Sequence, residues 1–316
     1  MNIIASTGDE QIAVVYIVEL SEGKLVECVE SLQPPLPREE KWVLLVSTMY
    51  GCPVGCQMCD AGGHYAGKVS KEDILAQVDF LVRKRYPAGR IPSQQFKIQF
   101  ARMGEPSLNL SVLDVIEEIP HRYEVPGFMP SISTVAPLGT DLFFDRLLEI
   151  KRRRYPDGRF QFQFSIHTTD LALRDRLIPV KKWDFHRMAA YGERFFEPGD
   201  RKITLNFAVA KDMPVDVGIL LNHFDPARFL IKITPLNPTY QAIENGLSSY
   251  INPHQDAESD QLIQALQAAG YQTIVSIGEP EENYIGSNCG QYLRTHLEAG
   301  DRIEAGYTYP VNEYTR

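Results

Sequence analysis

Strand-like and helix-like hydrophobic periods alternate along this chain from residue 42 to about residue 298, and this alternation constrains the fold more than any single motif. Trp42 to Thr48 reads as a strand. Ser70 stands where a helix N-cap belongs, with Asp73 three residues on in a capping-box arrangement. Ile74, Leu75, Val78, Leu81 and Val82 then make one helical face, Pro87 and Gly89 close it, and Phe96 to Phe100 alternates as a second strand. The cycle continues with a helix near 109–118, strand 128–134, helix 140–152 and strand 160–166. Strand 202–210, helix 215–223, strand 228–234, helix 257–269 capped by Gly270, and strand 271–277 follow. Strands separated by helices predict an α/β fold with a parallel sheet, and their number suits a partial (β/α)6 barrel better than an eight-fold one.

Residues 1–40 read differently. Ile12 to Leu20, then Glu22-Gly23, then Lys24 to Val29 predicts a β-hairpin, and Pro34-Pro35-Leu36-Pro37 a stiff connection to the first barrel strand. The expected organisation is a hairpin extension over 1–40 and a core over 41–316. Within the core, Arg85-Tyr86-Pro87-Ala88-Gly89-Arg90 recurs as Arg154-Tyr155-Pro156-Asp157-Gly158-Arg159, each copy between a helix and a strand of the form Phe-x-x-x-Phe. A repeated βα unit explains the echo. These turns fall at the N-terminal ends of strands, so their arginines read as a solvated charge cluster at helix C-termini.

Thirty-two basic against 41 acidic residues give a net charge of −9. That field repels phosphate backbones, so nucleic-acid binding needs a local basic patch. The basic runs, Arg83 to Arg85 and Lys151 to Arg154, fall on the face opposite the expected site. The N-terminus has Asp9 and Glu10 before its first apolar run and no basic n-region, and Ile12 to Val18 is far short of a bilayer span. The expectation is a cytoplasmic protein with no membrane partner.

Three of the five cysteines, Cys52, Cys56 and Cys59, crowd into eight positions just after the first core strand, the others being Cys28 and Cys289. Such crowding points to metal or redox chemistry. Two centres fit the spacing. His64 completes a closed Cys3His zinc site, which would make the chain a zinc-stabilised, non-catalytic binding protein. Alternatively the three thiolates hold an iron–sulfur cluster and leave one iron open.

Cys52-x-x-x-Cys56-x-x-Cys59 in the loop after the first strand resembles the signature of radical S-adenosylmethionine (SAM) enzymes. Gly104-Glu105-Pro106, after the second strand, resembles their Gly-Glu-Pro element. Met103-Gly-Glu-Pro-Ser-Leu-Asn109 is similar to the corresponding segment of the subgroup that methylates adenine in RNA (RlmN/Cfr-like). So are Ile132-Ser133-Thr134, Phe164-Ser165-Ile166-His167, Leu173 to Pro179, Thr234-Pro235-Leu236-Asn237-Pro238 and Asn288-Cys289-Gly290-Gln291, in the subgroup's order over residues 42 to 293. The resemblance implies a radical SAM barrel, a [4Fe–4S] cluster on Cys52, Cys56 and Cys59, and SAM as second cofactor. It implies SAM contacts from Gly104, Glu105, Pro106, Ser133, Ser165, His167 and Asn237, a methyl-carrying Cys289, and an electron donor of flavodoxin or ferredoxin type. These residues sit at or past the C-terminal ends of strands, where (β/α) barrels build active sites.

The resemblance fails at one catalytic position. The subgroup's second catalytic cysteine, seven residues before the first cluster cysteine, is Leu45 here. Leucine can neither take a proton nor attack a thioether. Cys28 is the only spare thiol, and its ordinary reading is a packed strand residue. The subgroup also carries a substantial N-terminal RNA-binding domain, against about 40 residues here. The expectation is a radical SAM enzyme acting on something other than the usual ribosomal adenine, with methyl transfer through Cys289 left open. An RNA adenine methyltransferase with a different resolving base is the alternative.

Overall fold

The computed structural model describes residues 1–250, 257–276, 280–287 and 307–314. Three antiparallel strands come first: β1 (Asn2–Asp9), β2 (Ala13–Glu19) and β3 (Leu25–Ser31). A parallel run follows through β4 (Lys41–Leu45), β5 (Gln95–Gln99), β6 (Phe128–Thr134), β7 (Gln161–Ser165), β8 (Ile203–Val209), β9 (Phe229–Pro235) and β10 (Gln272–Val275). β11 (Val311–Glu313) returns antiparallel to β1. All eleven form one sheet in the order β10 to β1, then β11.

The crossovers carry α1 (Lys71–Arg85), α2 (Ser111–Arg122), α3 (Asp141–Arg154), α4 (Leu171–Leu177) with α5 (Phe185–Phe195), α6 (Val217–His223), and α7 (Tyr240–Glu244) with α8 (Ala257–Ala268). α9 (Pro280–Ile285) follows β10. This is a partial (β/α)6 barrel with β10 as an added parallel strand. Ser70 caps α1 as expected, its hydroxyl accepting from the Asp73 N–H at 3.1 Å. The expected hairpin is β2 and β3, but it is not set apart. β3 pairs with β4, Val29 opposite Leu45, so the N-terminal strands continue the barrel sheet.

Strand alternation gives the barrel two unlike faces. Trp42, Leu44, Phe96, Ile98, Ile132, Phe162, Phe164, Leu205 and Ile231 turn outward and are buried in one apolar core with the helices. Each such side chain contributes on the order of 1.5–3 kcal/mol on burial. Gln95, Gln99, Ser131, Gln163, Thr204 and Asn206 turn inward and make a polar lumen. The repeated turn serves the outer face. Tyr86 packs edge-on against Trp42 at 5.5 Å, and Tyr155 packs edge-on against Phe128 at 5.8 Å. Its arginines are not uniformly solvated. Arg85 pairs with Glu30 at 2.6 Å and with Glu10 at 3.1 Å, and the nearby Lys151 is buried against Glu197 and Asp200. Arg90, Arg154 and Arg159 are exposed as expected, while ion pairs with carboxylates from neighbouring elements draw in Arg85 and Lys151.

α5 escaped the sequence reading because Gly192 interrupts its helical face. A side chain there would overlap the Phe229 ring, with Cβ 2.3 Å from Cζ, so the helix needs glycine to lie on β9.

One buried polar contact joins three segments distant in sequence. Arg102, after β5, donates from Nε to Glu27 Oε2 on β3 at 2.9 Å. It also donates from Nη1 to the Ser287 carbonyl at 3.1 Å and from Nη2 to the Gly286 carbonyl at 2.9 Å. Both side chains are essentially inaccessible. Arg102→Met leaves Glu27 as a buried carboxylate without its guanidinium and is expected to cost about 3–5 kcal/mol. Arg102→Met combined with Glu27→Leu should regain most of that loss, read as the urea-unfolding free energy of each variant.

Candidate active site

The loop between β4 and α1 carries Cys52, Cys56 and Cys59. Asn109 closes it at both ends, its Nδ2 donating to the Thr48 and Val69 carbonyls at 2.8 Å each. Within the loop the Cys59 N–H donates to the Cys56 carbonyl at 3.1 Å, and the Gly62 N–H to the Cys59 carbonyl at 3.2 Å. The far wall comes from β9 and α7: Thr239 Oγ1 donates to the Met58 carbonyl at 2.8 Å, and Asp60 accepts from the Gln241 N–H at 2.9 Å. All three cysteines are half-buried and packed on a small apolar cluster that includes Val54, Met58, Val135, Leu177, Ile178 and Leu236.

Burial pushes the Cys52 thiol up to about 11. Cys56 is raised well above the thiol range by burial and then by the negative charge of Cys59 and Cys52. Three thiolates therefore need a positive centre among them, which an iron–sulfur cluster supplies. A closed zinc site needs its sulfurs within about 4 Å of one another around one ion. Among the described residues no three His, Cys, Asp or Glu side chains converge in that way, and His64 is exposed. The donor set fits a cluster in which each thiolate takes its own iron.

Glu105 lies beside this loop, 5 % exposed. Oε1 accepts from the Ser107 N–H at 3.1 Å, from Ser107 Oγ at 2.7 Å and from Thr134 Oγ1, while Oε2 accepts from the Val135 N–H at 3.0 Å. Glu105 is thus the N-cap of a 3-10 turn, Pro106–Leu108, and ties that turn to the end of β6. Burial raises its pKa, with the hydroxyl and amide donors opposing. Ser107, Thr134 and Asn109 are functional supports that the sequence reading quoted inside motifs without giving them a role. Their signal was the presence of hydroxyl and amide side chains at fully buried positions.

Ser133 and Ser165 lie at the ends of β6 and β7, half-buried, and Asn237 lies just past β9. His167, two residues past β7, has φ of 68°, a left-handed conformation rare outside glycine. The turn places Nδ1 to accept from the Ala208 N–H at 3.1 Å. Burial, then the Arg174 charge, lowers its pKa to about 4. The ring is neutral with its proton on Nε2. Arg174 is itself buried, donates from Nη1 to the Trp183 carbonyl at 3.0 Å, and lies 5.4 Å from the Phe185 ring.

Cys28 and Leu45 are on opposite faces of the sheet. Leu45 turns inward and packs with Val15, Val29, Ile285 and Tyr309. Cys28 turns outward into the helix-side core, fully buried, and burial pushes its thiol far above the ordinary range. Cys28 is a packed strand residue and does not reach the position Leu45 occupies. Cys289, with Asn288, Gly290 and Gln291, lies outside the described residues.

Gly104 sets how close these loops approach. Its φ is 102°, and an added Cβ would lie 2.6 Å from Met49 Cβ and 2.8 Å from Thr48 Oγ1. Gly104→Ala is expected to cost about 1–3 kcal/mol from backbone conformation alone. The overlap should loosen the Thr48–Met49 contact, read as a lower urea midpoint and faster amide exchange at Thr48 and Met49.

No family model matches the chain. The protein described as "Probable dual-specificity RNA methyltransferase RlmN" of Trichormus variabilis is 25% identical over 246 residues, covering 74% of this chain and 61% of that protein. The protein of the same description from Desulfitobacterium hafniense is 26% identical over 295 residues, covering 90% and 76%. The chain thus spans between three-fifths and about three-quarters of these relatives. Among solved structures, a radical SAM methyltransferase from Sphaerobacter thermophilus superposes with a TM-score of 0.66 at 22% identity, over 90% of this chain and 78% of that one, a likeness of fold. Proteins of this type use a [4Fe–4S] cluster and SAM. No helix among the described residues is long and apolar enough to cross a membrane. Sequence likeness and the cysteine loop make the chain RlmN-like, and its fold is similar to that of a radical SAM methyltransferase.

Proposed function

We propose that this enzyme uses SAM-derived radical chemistry on a substrate other than the ribosomal adenine. The observation that carries this reading is Leu45, an inward-facing aliphatic side chain where the resembled subgroup has a catalytic cysteine, with Cys28 on the wrong face to replace it. Cys52, Cys56 and Cys59 hold the cluster. When bound, the cluster supplies the electron that cleaves SAM to a 5′-deoxyadenosyl radical.

The chain's own side chains bind and orient SAM. Oε1 of Glu105 is committed to Ser107 and Thr134, so Oε2, which accepts from the Val135 N–H, has capacity left for the SAM ammonium. Gly104 and Pro106 hold the backbone on either side of that carboxylate. Ser133, Ser165 and Asn237 offer neutral hydrogen bonds to ribose and carboxylate at the strand ends. His167, kept neutral and with Nδ1 occupied, offers an Nε2 proton. The apolar cluster under the cysteine loop keeps water from the reactive centre. Cys289 is the candidate methyl carrier.

Anaerobic reconstitution is expected to give an oxygen-sensitive cluster whose reduced EPR signal changes on adding SAM, with His64→Ala unaffected. Tightly bound zinc and no iron after anaerobic purification would sink this reading. Glu105→Gln should weaken SAM binding about 10-fold to 150-fold, the loss of one charge-assisted bond, with iron content retained. The names of the relatives favour a second reading, RNA adenine methylation with another resolving base. Methyl-Cys289 by mass spectrometry together with methylated adenine in RNA treated with the unaltered protein would establish it. On that reading Leu45→Cys should speed turnover.

A further inference from the structure

The segment Leu173 to Pro179 falls on α4 and the turn after it, and its place in the site comes from what that helix touches. α4 leads off three residues after His167, with Asp170 as its N-cap. At its other end the Leu177 carbonyl accepts from the Gln57 N–H at 3.0 Å, between Cys56 and Cys59. The chain then runs antiparallel to the loop after β6. The Leu138 N–H donates to the Lys181 carbonyl at 2.9 Å, and the Trp183 N–H to the Ala136 carbonyl at 2.8 Å.

Arg174 lies in the middle of these ties and is costly for a core. It is 2% exposed, and its Nε and Nη2 have no hydrogen-bond partner. Burial lowers its pKa to about 10, with Asp175 and Asp184 opposing. An aliphatic side chain would fill the same space with no idle buried donors and no buried charge. What arginine adds, besides its place over the Phe185 ring, is the bond from Nη1 to the Trp183 carbonyl at 3.0 Å.

That bond is the first of four. Trp183 holds the Ala136 carbonyl, the Ala136 N–H donates to Thr134 Oγ1 at 2.9 Å, and Thr134 Oγ1 donates to Glu105 Oε1. The weak link is Ala136. Its φ is 55°, a left-handed conformation that its side chain disfavours, and Pro137 after it favours extended backbone. Trp183 on one side and Thr134 on the other keep the turn in place. The turn in its turn aims two donors at the carboxylate. By accepting from Ala136, Thr134 Oγ1 directs its own proton to Oε1, and the neighbouring Val135 N–H reaches Oε2 at 3.0 Å.

We propose that Arg174 is a positioning residue for SAM: by holding Trp183 against the left-handed turn at Ala136, it fixes where the Glu105 carboxylate stands. This rests on the reading of Glu105 as the partner of the SAM ammonium, and it deepens it. The same helix ends on the cysteine loop, so one short element ties together the two loops that SAM has to bridge.

The test is calorimetric titration of the anaerobically reconstituted full-length protein with SAM, together with its amide exchange before SAM is added. Arg174→Met should weaken SAM binding about 5-fold to 30-fold, the weight of one left-handed residue no longer held. Arg174→Met with Glu105→Gln should bind no more weakly than Glu105→Gln alone, because both act at one carboxylate. Adding Ala136→Gly to Arg174→Met should regain most of the loss, since glycine takes the left-handed turn without support. Exchange at Val135 and Ala136 should quicken in Arg174→Met and leave Leu205 on β8 unchanged. Arg174→Leu is a second neutral variant and should behave alike. Unchanged SAM affinity in both neutral variants, losses that add to that of Glu105→Gln, no recovery with Ala136→Gly, or unchanged exchange at Val135 and Ala136 would overturn the proposal. So would loss of the cooperative urea transition in both neutral variants, which would make Arg174 a residue of the fold. The exchange measurement needs no SAM and reads the link to Glu105 alone. Equal SAM affinity in Glu105→Gln and the unaltered protein would instead refute the reading of Glu105, with the exchange result still standing.

Discussion

Arg102 and Glu27 form a contact on which the assembly of this chain depends. The N-terminal strands, the loop after β5 and the segment after α9 are far apart in sequence, and one guanidinium reaches all three. Its planar fork suits the position, since Nε, Nη1 and Nη2 each reach a different acceptor group across a wider span than one ammonium nitrogen covers. The pair is one residue from Met103, whose carbonyl accepts from the Thr48 and Met49 N–H groups at 2.8 and 3.1 Å. A single buried charge pair thus holds the loop that bears Glu105 against the loop that bears the cysteines.

From that anchor the site is assembled by polar side chains used as ties. Asn109 spans both ends of the cysteine loop, Glu105 joins a 3-10 turn to β6, and Thr239 and Asp60 fasten the loop to α7. Each tie buries a polar atom and satisfies it, which costs little net stability yet allows few alternative arrangements. The thiols and His167 are treated differently. Burial suppresses the charge of Cys52 and of His167, so both stand neutral beside the ties that hold the loop.

Much of this was legible in the sequence, because the parallel strands and their helices follow hydrophobic period, and period reports which side of a strand faces the core. Ser70 announced its helix through its spacing to Asp73. The cysteine loop and the strand-end polar residues were legible as motifs. What stayed hidden depends on partners distant in sequence. β1 and β11 define each other by pairing, and α5 is masked by Gly192, a glycine that only the Phe229 ring explains. Glu105's capping role required knowing that Thr134 and Val135 lie beside it. The charge runs misled for the same reason: Arg85 and Lys151 look like solvated ends of helices until Glu30 and Asp200 are placed beside them.

The pairing of β11 with β1 has a bearing on how such a sheet survives in a concentrated solution. β1 would otherwise offer an open row of amides and carbonyls, a template for docking with another molecule of the same kind. Three residues of β11, Ala5 opposite Glu313 through Thr7 opposite Val311, cover part of that row, and Tyr314 adds a hydroxyl contact to Ser6 at 2.9 Å. A few residues from the far end of the sequence therefore act as a guard against self-association, and their removal would be felt as aggregation well before it was felt as unfolding.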